Sequence, residues 1–351
     1  MRFPRRRCQR ADKEARGGCV MCELKSIIDK DNPFNESLLK DWRKRLDAFN
    51  QGAGEHPLPC FKRDADSAWI DEYQRKYEKK GKGLHLELLP DPFRGDPRAP
   101  VWILLLNPGY SEVDRYDHLG LCPLCGKRLV RVDGKATSHE NGCATRFFGS
   151  GLSDVSASLK SRQDMLIEEL KLDLSKPRKF LWFEPDFHTV PEEDATVACK
   201  GGSLWWKEFL FGDGDSDGYL FPNCDIKPDS GIGSRLFALE AFPYHSNKFD
   251  SSFLQNEGFR NGGYFKFWCS LVRRAVESGR KIIVRYESIR KVLEEVIGTA
   301  VYENNKDNII LMASINPSLT IGNLCGKDYR ANSMEKVESL RAAISARNYL
   351  K

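Results

Sequence analysis

Between Glu36 and Phe49 apolar side chains recur every third or fourth position. Leu38, Leu39, Trp42, Leu46 and Phe49 form one stripe behind Asn35, a residue suited to cap the helix that this spacing predicts. A second helical pattern runs from Ala65 to Lys80 and stops at Lys79-Lys80-Gly81-Lys82-Gly83. Beyond it, short and nearly continuous apolar runs alternate with further helical stretches. Val101–Leu106, Arg235–Phe242, Lys281–Tyr286 and Asn308–Ser314 read as buried strands, with Lys179–Glu184 as a weaker fifth. The helical stretches are Arg162–Lys171, Ser203–Phe211, Tyr264–Ser278, Glu287–Ile297 and Met334–Arg347. Apolar strands alternating with helices predict an α/β fold whose parallel sheet is covered on both faces, a three-layer α/β/α domain. That domain is expected over residues 91–351, after a basic arm and helical extension over 1–90. In such a sheet ligands collect beyond the carboxyl ends of the strands, so the residues there are the first to inspect.

Composition narrows the class. The 351 residues are 40% hydrophobic and 11% aromatic, which supplies a sizeable core and excludes a disordered or collagen-like chain. Mean hydropathy is −0.51, and no apolar run approaches the roughly 18–20 residues needed to cross a bilayer. The start, Met1-Arg2-Phe3-Pro4-Arg5-Arg6-Arg7-Cys8, has charges but no apolar stretch behind them, so a cytoplasmic location without secretory signal is expected; separately, a monomer is expected. Within residues 1–16 seven basic side chains face two acidic ones, so the arm carries the whole net charge of +5. Such an arm attracts polyanions, nucleic acid above all; a solvated tail is the alternative.

Three turn-type segments with polar side chains follow the strands: Asn107-Pro108-Gly109-Tyr110-Ser111, Pro243-Tyr244-His245-Ser246-Asn247 and Asn316-Pro317-Ser318-Leu319-Thr320. Any one of them is a good turn. All three lie at one edge of the same inferred sheet.

Leu104-Leu105-Leu106-Asn107-Pro108-Gly109 resembles the first motif of the uracil-DNA glycosylase superfamily, in particular the Gly-Ile-Asn-Pro-Gly of its mismatch-specific branch. Asn316-Pro317-Ser318 resembles that branch's second motif, and Ser203-Leu204-Trp205-Trp206-Lys207 is similar to the Arg-Phe-Trp-Lys helix between them. The resemblance spans roughly residues 100–330. It departs from the family at Leu106, in a cysteine-rich insert after the first motif and in the long N-terminal extension. It implies a central four-stranded parallel sheet and a monofunctional DNA glycosylase that flips out a base and hydrolyses its N-glycosidic bond. The superfamily includes phage-defence enzymes that remove modified bases from invading DNA. By resemblance Asn107 positions the water, Asn316, Pro317, Ser318, Leu319 and Thr320 contact DNA, and Leu319 is the wedge that fills the vacated stack; a core leucine leading into Ile321 is the alternative. In the strictly uracil-specific branch a tyrosine blocks C5 of the pyrimidine. The corresponding residue here is Gly109, which blocks nothing, so a pyrimidine enlarged at C5 is the expected substrate; the alternative is that Gly109 only makes the turn and the insert refills the space.

The residues agree with that chemistry. An enzyme acting on a base must hold it outside the stack. An asparagine amide is no general base, but it orients a water beneath the sugar. Charge on the departing base needs preorganised donors, for which the backbone after Asn107, His245 and Ser246 are candidates; for His245 a merely structural hydrogen bond is the alternative. Tyr110, Phe242 and Tyr244 are candidates to stack on the base, a contact worth roughly 1–3 kcal/mol; core packing is the alternative for each. Two other classes stay open: a non-catalytic nucleic-acid-binding module on the same fold, and a small-molecule nucleotide hydrolase.

The 11 cysteines, odd in number, read as thiols and metal ligands rather than a disulfide framework. Cys122, Cys125, His139 and Cys143 have the spacing C-x2-C-x13-H-x3-C, with Gly126 closing the first knuckle. Three thiolates and one imidazole are the closed tetrahedral set of a structural zinc site, placing a zinc knuckle within residues 120–145. Cys8, Cys19 and Cys22 contain a second C-x2-C without a nearby fourth ligand, and a second metal there is left open.

Overall fold

The computed structural model describes residues 21–52, 57–122, 126, 155–176, 178, 180, 206, 209–210, 232–312, 319–325 and 332–345. In chain order its principal elements begin with helices α1 (Glu36–Gln51) and α2 (Ser67–Tyr77) and strands β1 (Phe93–Gly95) and β2 (Val101–Leu105). Helices α3 (Glu112–Leu119) and α4 (Val155–Lys171) follow, then β3 (Leu236–Glu240), α5 (Gly263–Glu277) and β4 (Lys281–Val284). Helix α6 (Glu287–Ile297), β5 (Ile309–Leu311) and α7 (Met334–Ser345) complete the set.

The fold is α/β, built on a five-stranded mixed sheet in the order β1-β3-β2-β4-β5. The four strands read from the apolar runs are all present and mutually parallel. The expectation of a four-stranded, wholly parallel sheet is corrected by β1, which pairs antiparallel with β3 and sets Arg94 against Ala238. This strand lies between Pro92 and Pro97, is three residues long and carries a charge, so it has no strand-like pattern. Every residue of β2 and β3 is buried, as strands covered on both faces must be. Helix α5 joins β3 to β4, α6 joins β4 to β5, and both pack on β4. The weaker strand 179–184 lies outside the described residues apart from Phe180. Of Ser203–Phe211, Trp206, Phe209 and Leu210 are described, all helical and buried.

The N-terminal helices share the same core. Asn35 caps α1 by accepting from the Leu38 N–H, and Leu39, Trp42, Leu46 and Phe49 are buried. Helix α2 buries Trp69, Ile70, Tyr73 and Tyr77. Trp69 and Tyr73 lie 5.4 and 5.8 Å from Phe242 between ring centroids, and Phe34 lies 5.9 Å from Phe93. Among the described residues no helix is long and apolar enough to cross a membrane.

The parallel strands position the site. From β2 the chain proceeds to β3 on one side and then to β4 on the other, so the crevice opens beyond the carboxyl end of β2. Asn107 stands there.

Candidate active site

Hydrogen bonding continues past the strand ends: Ala241 and Phe242 N–H donate to the Leu105 and Leu106 carbonyls at 2.8 and 2.9 Å. The two segments behind β2 and β3 are thereby held side by side. Gly109 takes a left-handed φ of +74°, which bends the Asn107–Gly109 turn back toward β3. Two bonds lock the turn. Asn107 Nδ2 donates to Ser246 Oγ at 3.2 Å, and His245 Nδ1 donates to the Gly109 carbonyl at 2.8 Å. The second segment is in turn tied to the extension by the Leu84–Ser246 bridge and by His85 N–H donating to the His245 carbonyl at 2.9 Å.

These segments wall a cavity of about 460 Å³. Asn107, Gly109, Tyr110, His245 and Ser246 line it together, although the two segments are more than 130 residues apart in sequence. With Nδ2 turned to Ser246, the Asn107 carbonyl oxygen remains as an acceptor. Its amide makes no other hydrogen bond among the described residues.

His245 is buried, and burial pushes its imidazole down to about 3 despite the bond to Gly109. The Gly109 carbonyl only accepts, so the neutral ring carries its proton on Nδ1 and Nε2 has a lone pair. In that form Nε2 accepts and does not donate. Its role is to pin the turn. His118 of α3 stands edge-on to it at 5.2 Å, is also kept neutral by burial, and accepts the Leu89 N–H on Nδ1.

Tyr110 is half-buried at the cavity wall and stacks on His85, ring centroids 3.5 Å apart. His85 and Arg115 both reach Glu87; burial works to raise that carboxyl, but their hydrogen bonds hold it down to about 2. One ring face of Tyr110 is therefore taken by His85.

Three expectations are corrected. Phe242 and Tyr244 do not line the cavity: both are fully buried on the side occupied by α2. Tyr244 Oη donates to Asp66 and accepts the Arg63 N–H, while Phe242 packs among Trp69, Tyr73 and Phe249. Leu319 is not an exposed wedge, being fully buried with its N–H on the Phe209 carbonyl. Thr320 caps the short helix Ile321–Cys325, accepting the Asn323 N–H on Oγ1. Asn316, Pro317 and Ser318 lie outside the described residues, as do Cys125, His139 and Cys143. Cys122 is buried, and the Gly126 N–H donates to its carbonyl at 2.8 Å. Among the described residues no group of three metal-ligating side chains occurs.

The chain matches no protein-family model, no curated protein and no solved structure. The site is therefore argued from its own geometry, which includes residues that the sequence patterns pass over. Glu240 ends β3 in the cavity wall and is 7% exposed. Burial pushes its carboxyl up to about 8 against the opposing pull of Arg94 and Arg285. Arg94 is buried beside Asp91, and Arg285 follows β4 with its guanidinium 4.9 Å from the Tyr286 ring centre. An acid closing an apolar run, as in Leu236-Phe237-Ala238-Leu239-Glu240, is the signal that marks such a residue.

Proposed function

We propose that this protein is a monofunctional DNA glycosylase, acting as a monomer on DNA, that excises a modified pyrimidine and leaves an abasic site. The observation that carries the reading is the convergence of the Asn107–Gly109 turn and the His245–Ser246 segment on one cavity at the crevice beyond β2. In this reading the layers are α/β/α, and the cavity holds a base removed from the stack. The Asn107 carbonyl oxygen orients the attacking water, and its Nδ2 bond to Ser246 fixes the amide for that task. Ser246 Oγ and the backbone N–H groups of the turn face the base. The basic arm supplies contacts to phosphate that carry no sequence information. Removal of modified bases from invading phage DNA is the biological role this chemistry fits.

The wall at Gly109 sets the substrate's size. A Cβ built there meets no atom of the described residues within 4 Å, so among them no side chain stands where a blocking one would. Pyrimidines enlarged at C5, such as hydroxymethylated or glycosylated cytosine, are expected to be released faster than plain uracil. Oligonucleotides carrying each base, compared side by side for alkali-labile abasic sites, check this. Robust uracil release with none from any C5-modified pyrimidine would sink the expectation, and no release from any substrate would sink the glycosylase reading.

Zinc is proposed for the insert, with Cys122, Cys125, His139 and Cys143 holding it as a structural ion. The buried Cys122 thiol and the Gly126 N–H on the Cys122 carbonyl fit the first half of such a knuckle. Purified protein is expected to carry about one zinc per chain. Cys122→Ser is expected to lower that content and to raise proteolysis within 120–145, because metal binding there is folding energy. Fresh preparations made without chelator and found free of zinc would remove the knuckle.

A further inference from the structure

The turn N–H groups and Ser246 Oγ can donate hydrogen bonds to the departing base, but none of the residues above supplies it with a proton. When the glycosidic bond breaks, its electron pair passes to the base, and something must neutralise that charge. His245 cannot supply a proton, since its Nδ1–H is spent on Gly109 and its Nε2 bears none.

Glu240 stands where the need arises. It ends β3 directly beside β2, paired in register with Leu105, two residues before Asn107. Its backbone is fixed from both sides: its N–H donates to the Pro92 carbonyl at 2.9 Å, and its carbonyl accepts the Tyr264 hydroxyl. Its carboxyl oxygen Oε2 is buried in the cavity wall and has no hydrogen-bond partner among the described residues. A buried polar atom without a partner is costly, and a ligand bonding to it relieves that cost. The groups that face this carboxyl are Arg94 from β1, Arg285 after β4, and the phenols Tyr264 of α5 and Tyr286.

We propose that Glu240 is the general acid of the site, donating its proton to ring nitrogen N3 of an extruded 4-aminopyrimidine, that is, a cytosine-type base. This inference rests on the glycosylase reading and names its substrate class. A protonated carboxyl presents one donor and one acceptor side by side. They match the bare N3 and the exocyclic amine of cytosine. Uracil carries a hydrogen on N3 and offers no ring nitrogen to protonate. In the step, the C1′–N1 bond breaks with its electron pair going to N1, while the Glu240 proton passes to N3, so the base leaves neutral. The oxygen of the water oriented by Asn107 bonds to C1′ and sheds one proton to solvent, from which the Glu240 carboxylate is reprotonated. Between those events the carboxylate has the cationic neighbours Arg94 and Arg285. Burial favours the acid form and these cations favour the ionised form. The two meet at about 8, which keeps the proton in place at neutral pH and releasable. Burial of Tyr264 and Tyr286 moves both phenols upward, and His245 is neutral from about 3, so none of these titrates between pH 6 and 9.

The test is single-turnover release of 5-hydroxymethylcytosine and of 5-hydroxymethyluracil from otherwise identical oligonucleotides, from pH 6 to 9.5. The wild-type protein is expected to favour the cytosine form, with a rate that is level below pH 8 and falls tenfold per pH unit above it. Glu240→Gln keeps a donor and an acceptor but has no proton to give. It is expected to bind the oligonucleotide as the wild type does, to lose at least about a hundredfold in rate and to lose the alkaline limb. Arg285→Gln removes a cation beside the carboxyl and is expected to move that limb to higher pH, so the proposal stays testable if Glu240→Gln does not fold. Equal or faster release of the uracil form, or an alkaline limb unmoved by both variants, overturns the role of Glu240 while leaving the glycosylase reading standing. No release of either base by the wild type overturns both.

Discussion

Asn107→Ala is expected to abolish base release while leaving the fold and DNA affinity nearly intact. The side chain is half-buried and makes one side-chain hydrogen bond, Nδ2 to Ser246 Oγ at 3.2 Å, so its loss costs stability about 1 kcal/mol. The turn keeps its shape without it, because the left-handed Gly109 and the bond from His245 Nδ1 to the Gly109 carbonyl remain. In the proposed reading the lost group is the carbonyl oxygen that holds the water in line with C1′. Misplacing a reactant by a fraction of its approach distance already costs about a hundredfold, and removing the positioning group costs at least that. Single-turnover release from the best substrate, read beside thermal unfolding and fluorescence anisotropy, separates these effects. Wild-type turnover in this variant would remove Asn107 from the mechanism. A parallel fall in turnover and unfolding temperature would mean that the amide is only a brace for the turn.

What could be read from the sequence follows from how residues signal burial. Strands β2, β3, β4 and β5 were legible because strands buried on both faces are apolar without interruption, and α1, α5 and α6 because each keeps one apolar stripe. Strand β1 was not, for Phe93-Arg94-Gly95 becomes a strand only when the open edge of β3 pairs with it. The location of the cavity was legible from the parallel-sheet rule, and Asn107, Gly109, Tyr110, His245 and Ser246 lie in its wall. The assignment of Phe242 and Tyr244 to that wall failed because α2 covers both side chains, Trp69 packing on the two rings and Tyr73 on Phe242. No pattern in the chain announces that a helix from the extension would be there. Glu240 and Arg285 were hidden for the opposite reason: each is a single charge at the end of an apolar run, and a reading that seeks polar turns absorbs it into the strand. Their significance is three-dimensional, because it comes from sharing a buried wall with Arg94.

Gly95→Ala is expected to be among the most destabilising single substitutions in the molecule, at about 3–5 kcal/mol. Gly95 closes β1 with φ +81°, a conformation that costs an L-residue roughly 1–2 kcal/mol by itself. The greater part comes from space. A Cβ there falls 2.2 Å from the Leu236 carbonyl oxygen and 3.2 Å from that of Gly233, and both are backbone atoms with no rotamer to yield. Either β1 moves away from β3 or β3 itself moves. Gly95 pairs with Phe237, and Arg94 beside it faces the Glu240 carboxyl, so the disturbance reaches the cavity wall as well as the edge of the sheet. Gly279 gives the control. Its φ is +73°, yet a Cβ there meets no atom of the described residues within 4 Å, so Gly279→Ala is expected to bear the backbone term alone. In urea unfolding the two variants should separate by at least about 2 kcal/mol, which for a protein of ordinary stability is a large fraction of the total. Equal losses would mean that the approach of Gly95 to Leu236 is looser than the sheet geometry requires. A loss confined to Gly95→Ala, accompanied by slower base release at a temperature where the protein remains folded, would tie the edge strand to the acid it supports.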